Sequence, residues 1–200
     1  MSNIDFYFDF FSPYSYLANA RLPALADKYG YGITYRPIDV KAAKLAAGNT
    51  APATAQMPAK LRYAIADLTR WGKRYRVPFA FAAGVPTSSA RINKGTFLAI
   101  EKGQARDYEN KAYHATSGSG GAFDSDEVLS GVAREMGWSP EEFLAFVSSE
   151  KAGQLYEASN TEAHGRGVFG VPIMMVGDEM WWGNDRLDFL EEYLAAHPAQ

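Results

Sequence analysis

The chain of 200 residues contains no cysteine. That excludes disulfides, a thiolate nucleophile belonging to the protein, and thiolate metal sites. Histidine is scarce, and His114, His164 and His197 show none of the spacings of a metal site. Neither sign of charge dominates: 20 Lys and Arg stand against 23 Asp and Glu, for a net charge of −3. Such a balance gives no electrostatic case for nucleic acid as a partner. No apolar run reaches the ~18 residues that a membrane span needs. The first residues carry Asp5 and Asp9 where a secretory leader has basic residues before an apolar stretch, so no leader is expected. Lack of cysteine fits a reducing compartment, and the expected location is cytoplasmic.

What is present suffices for a sizeable core, with 47% hydrophobic residues in a chain long enough for one large domain or two small ones. Residues 4–10 are aromatic-rich and read as a strand. Ser12 is a good N-cap and Pro13 suits the first position of a helix that Gly30 ends, with a kink expected at Pro23. Ile33 to Ile38 reads as a second strand, and this strand-helix-strand unit favours a parallel pair. Residues 42–56 look like loop or weak helix, and 78–89 irregular. Helices are expected over 59–75, 92–103, 105–116 and 125–136. A Ser/Gly break falls at 117–121, and a helix opening at Ser139-Pro140 runs on toward Ala163. Val171 to Val176 and Glu179 to Trp182 read as a hairpin, followed by a helix capped at Asn184-Asp185. The order β-α-β, helical block, β-β-α is that of an α/β thioredoxin-like fold carrying a large helical insertion. The expected division is a thioredoxin-like domain of 1–42 and 165–200 with 43–164 inserted.

Within that order the turn Ser12-Pro13-Tyr14-Ser15 holds the most chemistry. Cysteine at both serines would make it the Cys-x-x-Cys turn of a disulfide enzyme. With no cysteine, it suits a sulfur supplied from outside. A thiol with a free pKa of ~8.5 becomes nucleophilic when a site stabilises its thiolate, and a hydroxyl at a helix start can do so. Ser12 also reads simply as a helix cap. Val171-Pro172 begins the strand after the helical block, where thioredoxin-like folds place a cis-proline whose preceding residue pairs with a peptide. Asn184 and Asp185 read as helix caps, as holders of an α-amino group, or as both. Lys44, Lys60, Arg62 and Arg91 are the cations that suit an anionic substrate, against the ordinary reading of solvated surface. Gly165-Arg166-Gly167-Val168-Phe169-Gly170 matches G-x-G-x-x-G, but it leaves a helix and enters a strand, which is the wrong context for a dinucleotide.

The stretch Asp5 to Ala18, around Phe10-Phe11-Ser12-Pro13-Tyr14-Ser15-Tyr16, resembles the N-terminal motif of the 2-hydroxychromene-2-carboxylate isomerase family. Val168-Phe169-Gly170-Val171-Pro172 and Trp181-Trp182-Gly183-Asn184-Asp185-Arg186-Leu187 are similar to its C-terminal motifs. Lys44 with Gly48-Asn49, and Asp67-Leu68 with Arg70-Trp71, fall between them in similar order. The resemblance implies kinship to kappa-class glutathione transferases, a DsbA-like fold, glutathione as cofactor and a homodimer. It also implies a small aromatic carboxylate substrate in the catabolism of naphthalene or related compounds. The reaction expected is glutathione-dependent interconversion of 2-hydroxychromene-2-carboxylate and trans-o-hydroxybenzylidenepyruvate. The alternative is a kappa-like transferase or peroxidase acting on another electrophile, or a glutathione- or peptide-binding module without turnover. Carried over, Ser12 holds the glutathione sulfur, the Val171 backbone before Pro172 pairs with the cysteinyl part, and Asn184 and Asp185 hold the γ-glutamyl end. Asn49 is a further cofactor contact, and Lys44 meets the substrate.

Overall fold

The computed structural model describes residues 2–80 and 88–199. The stretch 81–87, most of the segment expected to be irregular, lies outside the described residues. The chain begins with β1 (Asn3–Phe8), α1 (Pro13–Asn19), α2 (Leu22–Tyr29) and β2 (Gly32–Pro37). Next come α3 (Val40–Ala46), a short 3-10 turn at Thr54–Gln56, and α4 (Pro58–Tyr75). The block continues with α5 (Ala90–Glu101), α6 (Ala105–Tyr113), α7 (Asp126–Glu135), α8 (Pro140–Val147) and α9 (Glu150–Gly165). It closes with β3 (Ile173–Val176), β4 (Glu179–Trp182), a 3-10 turn at Asn184–Arg186 and α10 (Leu187–Ala196).

The expected helix of 13–29 is two helices that meet at Ala20-Arg21. Pro23 sits in the first turn of α2, where its missing N–H has no intrahelical partner to lose. The long stretch after Ser139 also divides. Ser149 accepts a hydrogen bond from the Ala152 N–H at 3.2 Å and so caps a new helix, α9. Part of the region read as loop or weak helix forms α3, started by Asp39, whose carboxylate accepts from the N–H groups of Lys41 and Ala42.

The strands form one sheet in the order β2-β1-β3-β4, parallel between β1 and β2 and antiparallel elsewhere. Alternation along β1 divides its side chains between two cores. Ile4, Phe6 and Phe8, with Phe10 beyond the strand, pack with α1, α2, α10 and the helices α5 to α8. Tyr7 points the other way, into a smaller core with Ile38, Ala43, Ala163, Val168 and Ile173. Thus α9, which sequence order groups with the insertion, covers the second face of the sheet. Its Ser159 hydroxyl donates to the Pro37 carbonyl at 2.8 Å, and its Asn160 side chain accepts from Asp39 N–H at 2.7 Å.

Topology gathers four chain segments at one edge of the molecule. β1 runs toward Ser12, and parallel β2 ends beside it and leads into α3. Antiparallel β3 starts there, with Ile173 opposite Tyr7. The hairpin then returns, with Trp182 opposite Ile173, which brings Gly183 to Arg186 back to the same end.

Candidate active site

The turn after β1 is held by its own backbone. The Ser12 N–H donates to the Asp9 carbonyl at 2.9 Å, and the Phe11 N–H donates to Asp9 Oδ1 at 3.0 Å. Ser12 is the N-cap of α1, and its Oγ accepts from the Ser15 N–H at 3.3 Å. The two readings of Ser12 are therefore compatible: an accepting lone pair caps the helix, while the hydroxyl hydrogen remains free to point outward. At 7 residues α1 is short, so this hydroxyl, more than a helix dipole, is what the turn offers an anion. Ser15 lies behind it, fully buried, with the Tyr113 phenol nearby and no hydrogen bond of good geometry to its hydroxyl among the described residues.

Val171 and Pro172 are buried beside this turn, and the peptide bond between them is cis, as the sequence led us to expect. The Pro172 carbonyl accepts from the Gly183 N–H at 2.9 Å, while the backbone of Val171 has no backbone hydrogen-bond partner among the described residues. An extended peptide can pair there. Proline brings no N–H to the ladder, which is why β3 starts only at Ile173.

The third segment completes the cluster. Gly183 adopts φ 104°, a conformation that favours glycine, and a Cβ there would collide with the Asp185 carboxylate. Asp185 is exposed and is paired to Arg186 at 2.7 Å. Asn184 is buried, and its amide nitrogen, with the Tyr75 phenol nearby, makes no hydrogen bond of good geometry among the described residues. α4 lies against both segments. The Tyr14 hydroxyl donates to Asp67 Oδ2 at 3.2 Å, and the Tyr75 hydroxyl donates to the Asn184 carbonyl at 3.3 Å. Burial pushes the Tyr14 phenol up to about 12, and the nearby charges of Asp67 and Asp185 add to the shift. So Ser12, Val171, Pro172, Asn184 and Asp185 are brought together, with Asp67 as an acid that the residue-by-residue reading left without a role.

The candidate cations fare differently. Lys44 and Lys60 are exposed and make no ion pair among the described residues. Asn49 is exposed; its N–H donates to the Lys44 carbonyl at 2.8 Å and its side chain accepts from Ala51 N–H at 3.1 Å. Arg91 is committed elsewhere, to Asp126 at 2.6 Å and to the Asp124 carbonyl at 3.1 Å. Lys41, one turn before Lys44 on α3, places its ammonium 4.7 Å from the centre of the Phe11 ring, next to Ser12. Only the end-to-end meeting of β1 and α3 reveals it.

The chemistry of these groups can be set beside that of glutathione. A free hydroxyl suits its sulfur, an open backbone suits its peptide, and an orphaned amide nitrogen with an exposed carboxylate suits its γ-glutamyl end. The residues fit such a group.

Among known proteins, the model of the DSBA-like thioredoxin domain matches residues 3–195. A 2-hydroxychromene-2-carboxylate isomerase of Pseudomonas sp. (strain C18) is 42% identical over 195 residues, covering 98% of this chain and 91% of that protein. Another from Sphingobium xenophagum is 44% identical over 191 residues, covering 96% and 97%. A solved structure of a 2-hydroxychromene-2-carboxylate isomerase superposes with a TM-score of 0.91 at 42% identity, covering 96% of this chain and 94% of that one. The chain belongs to the DSBA-like thioredoxin family, and within it to the relatives that carry the 2-hydroxychromene-2-carboxylate isomerase name.

Proposed function

We propose that this protein is a glutathione-dependent isomerase that interconverts 2-hydroxychromene-2-carboxylate and trans-o-hydroxybenzylidenepyruvate. The observation that carries the reading is the cysteine-free Ser12-Pro13-Tyr14-Ser15 turn, set beside the open Val171 backbone in a chain 42% identical to isomerases of that name. When bound, glutathione supplies a thiolate that adds reversibly to the ring-opened substrate and so frees a double bond to rotate.

The protein's own part is binding and orientation. The Ser12 hydroxyl donates toward the sulfur and favours its ionised form. Val171 offers its N–H and carbonyl to the cysteinyl backbone. Asp185 takes the α-ammonium, with Asn184 beneath it and Asp67 near it. Lys44 or Lys41, on the helix that follows β2, attracts the substrate carboxylate. The aromatic rings of Phe11 and Trp182 give the site apolar walls. We also read the chain as a cytoplasmic homodimer that serves aromatic catabolism.

Ultraviolet spectra of 2-hydroxychromene-2-carboxylate with the purified enzyme test the reading. Interconversion that needs glutathione, and returns it unchanged, is the expected result. Conversion at full rate without any thiol removes the cofactor; a released glutathione adduct makes the protein a transferase. Sedimentation of the enzyme over a dilution series checks the dimer.

A further inference from the structure

Directly behind Ser12 lies a carboxylate that the reading above leaves without a task. Asp9 is 2% exposed, yet its oxygens collect donors from several parts of the chain. Oδ1 accepts from the Phe11 N–H at 3.0 Å, from the Asn93 amide at 3.0 Å and from the Ser89 hydroxyl. Oδ2 accepts from the Val40 N–H, the first of α3, at 3.0 Å. Asn93 is fixed in turn: its oxygen accepts from the Phe10 N–H at 3.2 Å and its amide donates to the Tyr156 hydroxyl at 2.9 Å. Asp39, Lys41 and Tyr156 share with Asp9 the lining of a small cavity.

Burial pushes the Asp9 carboxyl above its ordinary value, while every one of these partners brings a hydrogen and pulls the other way, toward the ionised acid. No Lys, Arg or His forms an ion pair with it among the described residues. A buried charge held only by neutral donors is a poor way to stabilise a fold, since apolar residues of similar volume do as well or better. Its geometry suggests another use. Through its backbone carbonyl and Oδ1, one residue grips the N–H groups of Ser12 and Phe11. Through Oδ2 it grips the start of the helix that carries Lys41 and Lys44.

We propose that Asp9 is a positioning residue for the reaction, holding the Ser12 hydroxyl at the sulfur site and tying the first turn of α3 to the same frame. It acts through Ser12 and the peptide groups around it and touches neither thiol nor substrate. The inference rests on the reading of Ser12 as the group that meets the glutathione sulfur.

The test is the thiolate ultraviolet absorbance of bound glutathione against pH, in the wild type, Asp9→Asn and Asp9→Ala. Field and position act in opposite directions. Removing a negative charge near the site lowers the thiol pKa, whereas losing the held hydroxyl raises it. We expect a rise of about one unit in folded Asp9→Ala, or a roughly tenfold smaller thiolate fraction well below the pKa. Turnover should fall at least about tenfold with it. Asp9→Asn, which keeps one oxygen, should shift the same way by less. If Asp9→Ala does not fold, Asp9→Asn decides by the same titration. An unchanged or lowered thiol pKa in the folded variants overturns the proposal, whatever happens to stability. A wild type that shows no bound thiolate removes the Ser12 reading itself, and the inference with it.

Discussion

At the scale of single residues, position separates groups that look alike in sequence. Ser12 and Ser15 flank one turn, but only Ser12 has a hydroxyl at the surface of the site. Ser12→Ala should lower turnover by at least about tenfold and raise the pH midpoint of the rate, because a charge-assisted hydrogen bond is worth about 1.5–3 kcal/mol. Unchanged rate and pH profile in the mutant would return Ser12 to capping alone. Ser15→Ala removes a buried hydroxyl with no well-formed hydrogen bond, so a stability change within about 1 kcal/mol and little loss of activity are expected. Glu109 is a second buried acid. One oxygen accepts from the Thr96 hydroxyl at 2.7 Å and the other has no hydrogen-bond partner among the described residues, and burial raises the carboxyl well above the ordinary value near 4.5. The sign follows from linkage: the folded state keeps a proton that the unfolded chain gives up. Its contribution is therefore full below the unfolded value and is lost as pH rises from there toward the folded value. Glu109→Gln should remove that loss. Thermal melts should show the variant gaining on the wild type from acid to neutral pH; a constant difference would refute the assignment.

At the scale of elements, strands and caps were legible and the long-range ties were not. The aromatic-rich run of β1 and the serine caps at Ser12, Ser125 and Ser139 can be read directly, because each depends on neighbours within a few residues. The break at Ala20-Arg21 was hidden because Pro23 fits a kink as well as a first turn. The ties of Asp9 to Ser89 and Asn93 span 80 and 84 residues, and those of Tyr14 to Asp67 span 53, so no periodicity announces them. The cations show the same limit. Charge alone made Lys44, Lys60, Arg62 and Arg91 equal candidates, and packing sets Arg91 apart. Arg91 closes α5 onto the start of α7 through Asp126, while α3 presents Lys41 beside the turn and carries Lys44 one helical turn further on. Lys44→Met should raise the substrate KM several-fold and leave glutathione affinity intact, and Arg91→Met should leave both unchanged. Steady-state kinetics with each variant decide this. A wild-type KM in Lys44→Met moves the role to Lys41.

At the scale of the whole molecule, the candidate site is a junction. Ser12 comes from the beginning of the chain, Val171 and Asp185 from its end, and α4 crosses over both through Tyr14 and Asn184. The sheet order puts β3 beside β1, so strands that are remote in sequence deliver these segments to one edge. A ligand that spans them binds only the folded chain and must stabilise it by mass action. At a hundred times its Kd, glutathione should add about 2.7 kcal/mol, visible as a rise in Tm. The two ends of the ligand can then be told apart. Ser12→Ala should keep most of the rise, because its hydroxyl acts on the sulfur and the peptide and γ-glutamyl contacts remain. Asp185→Asn should weaken binding roughly 10- to 150-fold through loss of a charge-assisted hydrogen bond. At the same glutathione concentration its rise should be about half that of the wild type or less. Full thermal protection of Asp185→Asn would place the γ-glutamyl group elsewhere, with Asp67 next in line. A rise lost in Ser12→Ala but kept in Asp185→Asn would mean that the sulfur, and not the far end of the tripeptide, supplies the grip.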